Sequence, residues 1–205
     1  MMWSARAPMR VTGVIQAGGK STRMGGAPKG LLELGGRRLI ERVVAVVREV
    51  TDDVLIVTNA MDLYRFLELP MVSDVFPDGG SLGGIYSGLA AATGDAAFTV
   101  ACDMPFLRAA VARLVVERAG EADVVIPRAD DQLQTMHALY GKGCLPHMEA
   151  RLRAGRLKIV GFFDDVHVLE VPEAEVARHA DPARVFMNLN TPEELERARA
   201  MITDE

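Results

Sequence analysis

Aromatic side chains make up only 5% of the 205 residues. The interior must therefore be filled by Ala, Val, Leu and Ile, the residues that usually pack a sheet between layers of helices. Cysteine is as scarce: Cys102 and Cys144 are the only two, which excludes a disulfide framework and fits free thiols in a reducing compartment. No apolar run is long enough to cross a bilayer. Residues 1–10 lack the apolar centre of a signal peptide, so a cytoplasmic location away from membranes is expected. The four histidines (His137, His147, His167 and His179) show no close metal-ligand spacing, which argues against zinc. No two aspartates stand two residues apart, so an Asp-x-Asp metal motif is missing. With a net charge of −5, nothing suggests nucleic-acid binding.

What the chain does have is one globular domain's worth of material. Its 49% apolar and 25% charged residues suit a single core spanning residues 1–205. Short apolar runs at 11–17, 53–58, 71–73, 96–102 and 122–127 have the character of buried strands. Between them, 38–50 places Leu39, Val43, Val46, Val47 and Val50 on one helical face. The Gly- and Ala-rich stretch 82–93 predicts a helix lying close on a sheet, and 108–119 a further helix. Strands alternating with helices predict a mostly parallel α/β sheet with helices on both faces, a three-layer α/β/α sandwich. Residues 133–140, after the polar turn Asp130-Asp131, are expected to form an antiparallel strand, and 143–154 and 191–202 two more helices.

One loop carries a chemical signal. Residues 16–36 are QAGGKSTRMGGAPKGLLELGG, with Lys20, Arg23 and Lys29 and no acidic residue before Leu32. Glycines directly after a strand let backbone N–H groups approach an anion, and the three cations add charge around the same centre. The loop therefore suits a triphosphate. Its spacing fits neither common phosphate loop: Val14 stands where a P-loop needs its first Gly, and Lys20 where a dinucleotide fingerprint needs its second. Glycines alone would fit a plain tight turn; the Arg-Met-Gly and Pro-Lys segments behind them do not.

Gly18-Gly19-Lys20-Ser21-x-Arg23-Met24-Gly25, followed by Lys29-Gly30-Leu31-Leu32, resembles the signature of the MobA family, the molybdenum cofactor guanylyltransferases. The wider superfamily is the nucleotide-diphospho-sugar transferase type, with a Rossmann-like mixed sheet. Further resemblances are Asn59 after the second strand, Asp74 after the third, Leu82-Gly83-Gly84-Ile85, Cys102-Asp103-Met104-Pro105, and Asn188-Leu189-Asn190-Thr191-Pro192-Glu193-Glu194-Leu195. Two positions depart from the pattern: Gln16 stands where the family usually has Leu or a small residue, and Pro28 where it often has Asp. The resemblance implies GMP transfer from GTP to molybdopterin carrying molybdenum, with Mg²⁺ as cofactor, and transient contact with other molybdenum cofactor proteins. It implies nucleotide binding by Gln16, Ala17, Gly18, Gly19, Lys20, Arg23, Lys29, Asn59, Asp74 and Asp103. Residues of about 10–105 would form the nucleotide half and 106–205 the acceptor half. Cytidylyl transfer, to the same acceptor or to a polyol or sugar phosphate, is the rival reaction. A nucleotide-binding regulator without turnover is the rival of another kind.

Physical reasoning adds roles. Asp103 ends an apolar strand, where ligand sites of open α/β sheets lie, and Pro105 keeps the following residue extended. A single carboxylate there suits Mg²⁺, which keeps several waters and takes its other ligands from phosphates; a helix cap is the plainer role. Of Asn188 and Asn190, one side chain is free for metal or substrate while Asn190 or Thr191 caps the last helix; Asn188 is the expected metal neighbour. Arg23, Lys29 and Asp103 are the expected catalytic group, since bringing two anions together needs charge neutralisation and positioning. Arg128, Arg156 and Lys158 are candidate acceptor-phosphate contacts or plain surface charge. Gln134 and His137 carry no assigned role.

Overall fold

The computed structural model describes residues 9–18 and 28–203. Strand β1 (Val11–Gln16) precedes a 3-10 turn at Lys29–Leu31, the hairpin β2 (Glu33–Leu34) and β3 (Arg37–Arg38), helix α1 (Leu39–Arg48) and β4 (Asp53–Val57). A 3-10 segment, Met61–Leu67, leads to β5 (Met71–Val72), α2 (Gly80–Ala91), β6 (Ala96–Ala101) and α3 (Ala109–Val116). The second half contains β7 (Val124–Ala129), β8 (Gln132–Leu133), β9 (His137–Gly141), α4 (Leu145–Arg153), a 3-10 segment at Ile159–Asp165 and β10 (Val168–Val171). Short helices α5 (Glu173–Val176) and α6 (Pro182–Val185) precede α7 (Pro192–Thr203).

The main sheet runs in the order β10-β7-β9-β6-β1-β4-β5, with β8 paired to β7. Pairs β6–β1, β1–β4, β4–β5 and β7–β10 are parallel, and β9 is inserted antiparallel between β6 and β7. Alternation along each strand divides the core into two layers. Val11, Ile15, Val54, Ile56, Phe98 and Val100 meet α1 and α3 on one face. Val14, Leu55, Val57 and Ala97 meet α2 and α4 on the other. Residues with period-two burial on both faces are what a sheet covered by helices requires. The expected three-layer, mostly parallel sandwich is therefore present.

Helix α2 lies especially close to the sheet. A Cβ on Gly88 would stand 2.3 Å from Val14 Cγ1 and 3.0 Å from Val57 Cγ2, so glycine is what permits this separation. A third, smaller cluster joins Leu34 and Leu39 of the hairpin region to Phe106, Leu189, Leu195 and Ala198. It holds α7 and the strand-like segment before it against the carboxyl end of β6.

Two expectations need correction. The single strand anticipated at 133–140 is broken. Gln134 N–H bonds the Pro127 carbonyl and His137 N–H bonds the Gln134 carbonyl, so a turn separates β8, which pairs only with β7, from β9. Strand β10 was not anticipated, because the polar Glu170 interrupts its apolar pattern: that carboxylate faces Arg128 at the sheet edge in a two-pronged ion pair of 2.7 and 2.8 Å.

Candidate active site

The carboxyl ends of β1, β4 and β6 open onto one cleft with two joined lobes. The larger, about 680 Å³, is bounded by Gln16, Ala17, Gly18, Asn59, Asp74 and the start of α2. The smaller, about 400 Å³, is bounded by Lys29, Cys102, Asp103, Met136, Asn188 and Asn190. Backbone bonds fix the floor: Ala17 N–H reaches the Val57 carbonyl at 2.9 Å, and Cys102 N–H reaches Gln16 at 3.0 Å. The buried Thr58 hydroxyl donates to Ala17 O at 3.0 Å, tying the ends of β1 and β4 together.

In the smaller lobe Lys29 is the hub. Its ammonium donates to Asp103 Oδ2 at 2.9 Å and to Asn190 Oδ1 at 2.6 Å. The side chains are 23% and 12% exposed for Lys29 and Asp103, a half-dry setting that strengthens the ion pair. Asn190 arrives there because Leu189 is buried in the third core cluster and its N–H bonds the Asp103 carbonyl at 3.0 Å. With Leu189 facing inward, Asn188 and Asn190 flank it and border the cleft. Helix α7 is capped by Thr191, whose hydroxyl accepts from Glu194 N–H while the Glu194 carboxylate accepts from Thr191 N–H at 3.0 Å, the reciprocal capping box. Asn190 is thereby left free to serve the cleft. The Asn188 amide donates to Phe186 O at 3.1 Å. Asp103 caps no helix, since α3 begins at Ala109.

In the larger lobe Asn59 and Asp74 hold each other. The Asn59 amide donates to Asp74 Oδ2 and accepts from Asp74 N–H, both at 3.0 Å. Burial raises the Asp74 pKa, opposed by the Asn59 hydrogen bond. The Gln16 amide lies flat against α2, where a Cβ on Gly84 would stand 2.5 Å from its Oε1, and its Nε2 donates to Ser81 O at 3.3 Å. Cys102 is buried, and burial first, then the Asp103 charge, pushes its thiol up to about 12. It is therefore an inert wall.

The cleft thus gathers Gln16, Ala17, Gly18, Lys29, Asn59, Asp74, Asp103 and Asn188 from the expected set. Gly19, Lys20 and Arg23 lie outside the described residues. Arg128 is bound to Glu170 and the Asp131 carbonyl, and Arg156 and Lys158 are exposed. Their candidacy as acceptor contacts gains nothing from the fold. His137 is fully buried between Phe98 and Phe186. Sequence reasoning passed over Tyr64, which borders both lobes. It weighed Asn190 mainly as a cap; the polar-apolar-polar alternation of Asn188-Leu189-Asn190 was the available signal.

A family model described as the MobA-like NTP transferase domain matches residues 13–167. The chain belongs to that family. A probable molybdenum cofactor guanylyltransferase of Pelotomaculum thermopropionicum is 40% identical over 193 residues, 94% of each chain. A molybdenum cofactor guanylyltransferase of Desulfosudis oleivorans is 39% identical over 94% of this chain and 96% of its own. The crystal structure of molybdopterin-guanine dinucleotide biosynthesis protein A from Archaeoglobus fulgidus shares the fold, with a TM-score of 0.83 at 24% identity over 95% of this chain and 100% of that one. In this MobA-like NTP transferase, no helix among the described residues is long and apolar enough to cross a membrane.

Proposed function

We propose that the protein transfers GMP from GTP to the phosphate of molybdopterin carrying molybdenum, releasing pyrophosphate, in the cytoplasm. The observation that carries the reading is the joined cleft, with Asn59 and Asp74 bordering one lobe and the Lys29–Asp103–Asn190 group the other. Names of relatives that are 39–40% identical over nearly the whole chain support the same substrates.

In this reading Asp74 and Asn59 hold the nucleotide in the larger lobe. Guanine offers two adjacent donors at N1 and N2, and a partly buried carboxylate is the acceptor that suits them; adenine would turn its N1 lone pair toward that carboxylate, acceptor against acceptor, a costly mismatch. The reactive phosphates lie in the smaller lobe. Lys29 neutralises charge that builds on the departing pyrophosphate, while Asn190 and Asp103 fix the direction of its ammonium. Gly18 lets backbone approach the phosphates; Gly19, Lys20 and Arg23, outside the described residues, are assigned to phosphate binding by the sequence motif alone. No residue acts as nucleophile, because the acceptor phosphate supplies the attacking oxygen.

Asp103 also fits a Mg²⁺ ion. One carboxylate oxygen is engaged by Lys29, the other has no hydrogen bond among the described residues, and no cluster of three or more His, Cys, Asp or Glu stands among those residues. That donor set suits a cation that takes most of its ligands from phosphates and water. Asp103, with the side-chain oxygen of Asn188 or Asn190, would hold it. When bound, it supplies Lewis-acid neutralisation of phosphate charge.

Mixing the protein with GTP, Mg²⁺ and molybdopterin carrying molybdenum should release pyrophosphate in step with the guanylylated product, and chelating the metal should stop it. No pyrophosphate release under these conditions contradicts the reading, and GTP binding without turnover would identify a regulator. Cytidylyl transfer is the second reading through one feature, the Gln16 amide at the junction of the lobes, since an amide pairs with more than one base edge and does not by itself select guanine.

A further inference from the structure

The two lobes of the cleft meet along one wall, formed by Gln16, Ala17, Gly18, Pro28, Tyr64 and Ser81. Among the described residues, the one deeply buried side-chain hydroxyl on that wall makes no hydrogen bond. Tyr64 sits on the 3-10 segment Met61–Leu67 and is 2% exposed. Its ring is packed into the core layer shared with α1 and α3. Its hydroxyl lies beside the backbone of Gly30: a Cβ built there would stand 3.3 Å from Tyr64 Oη and 3.2 Å from Cys102 Sγ. Among the described residues this hydroxyl makes no hydrogen bond. The other deeply buried tyrosine behaves differently, since the Tyr140 hydroxyl donates to Thr135 O at 2.8 Å. Buried phenols ordinarily find a partner because losing water without one is costly. A phenol that borders a cleft and has none is presented to whatever fills the cleft.

We propose that Tyr64 donates a hydrogen bond to a ribose hydroxyl of the bound nucleotide. The inference rests on the nucleotidyl-transfer reading. Asn59 and Asp74 border only the larger lobe, whereas Lys29 and Asp103 border only the smaller. The part of a nucleoside triphosphate that joins a base in one lobe to an α-phosphate in the other is the sugar, and it must pass the shared wall. Burial raises the Tyr64 pKa, so the phenol remains a neutral donor. A neutral hydroxyl suits another hydroxyl, which both gives and accepts; phosphate oxygens are better served by Lys29. Gly30 contributes by carrying no side chain that would crowd Oη.

The test is direct titration of the wild-type protein and Tyr64→Phe with GTP, 2′-deoxy-GTP and 3′-deoxy-GTP, without acceptor. The wild type should bind one deoxy analogue roughly 2- to 10-fold more weakly than GTP, the worth of one neutral hydrogen bond. Tyr64→Phe should bind GTP more weakly by that same factor and should no longer distinguish GTP from that analogue. The variant keeps the whole buried ring, and a melting curve close to wild type confirms that its fold is intact. A wild type that binds GTP and both analogues alike overturns the contact without needing the variant. So does a Tyr64→Phe variant that retains the wild-type discrimination. Failure of the wild type to bind GTP at all would overturn the guanylyl reading and this contact together, whereas GTP binding without discrimination removes the contact alone.

Discussion

Replacing Asp103 by Asn keeps the shape of the side chain and removes its charge, so it separates what the carboxylate does for the fold from what it does for the reaction. In the fold it pairs with Lys29 at 2.9 Å, with the two side chains 12% and 23% exposed. A solvent-exposed pair is worth roughly 0–1 kcal/mol, and breaking a fully buried one costs roughly 3–5 kcal/mol. This pair lies between, and the Lys29 bond to Asn190 survives the change, which puts the loss at about 1–2 kcal/mol. For a chain of this size that lowers the melting temperature by about 2–8 °C. Turnover should fall much further, by roughly 10²–10³ or more, because stabilisation of transition-state charge is lost in a half-dry site. Circular dichroism melts together with a pyrophosphate-release assay read both quantities. A well-folded variant with near-normal turnover would refute the assignment of Asp103 to the reacting centre. A variant unfolded at room temperature would show that its main task is structural.

Three further outcomes follow from other residues. Asp74→Asn should weaken GTP binding by roughly 10- to 100-fold, the worth of a charged hydrogen bond, with CTP affected less; equal losses in calorimetric titrations would remove Asp74 from base recognition. Gly88→Ala forces a Cβ to within 2.3 Å of Val14 Cγ1, and overpacking of this kind costs about 1–3 kcal/mol; unchanged urea unfolding would mean that α2 yields more easily than its packing implies. Burial of His137 lowers its pKa from 6.5 to about 3, with the Val111 backbone opposing the shift. Between those values the unfolded chain binds a proton that the folded chain refuses, so stability falls as pH falls through that window, by up to about 1.4 kcal/mol per pH unit. His137→Leu should flatten this acid limb in urea denaturation series, and an unchanged slope would mean that His137 does not carry it.

How far the sequence reveals all this depends on whether local pattern or distant packing decides. The first strand, α1, β4 and β6 are legible because a buried parallel strand has a continuous apolar run and α1 has a clean apolar face. The break between β8 and β9 is not legible, since apolar and polar residues alternate through it and only tertiary pairing decides where the ladder changes partner. Asp103 could be singled out because it directly follows the apolar run of β6. The tie from Lys29 to Asn190 could not be read in the same way, because that contact spans most of the chain and depends on Leu189 filling a third core cluster beside the β2–β3 hairpin. Tyr64 lies in a segment without strong periodicity, and only the coming together of the two lobes gives its hydroxyl meaning.

The central claim, that guanosine nucleotide is the donor and molybdopterin the acceptor, is tested most directly by one measurement. The protein is incubated with Mg²⁺ and molybdopterin carrying molybdenum, and with each of GTP, CTP, ATP and UTP labelled at the α-phosphate, while label is followed into the acceptor. The account predicts that label is transferred from GTP in clear preference to the other three. Preferential transfer from CTP would contradict the assignment of the base, and absence of transfer from every nucleotide would contradict the proposed reaction itself.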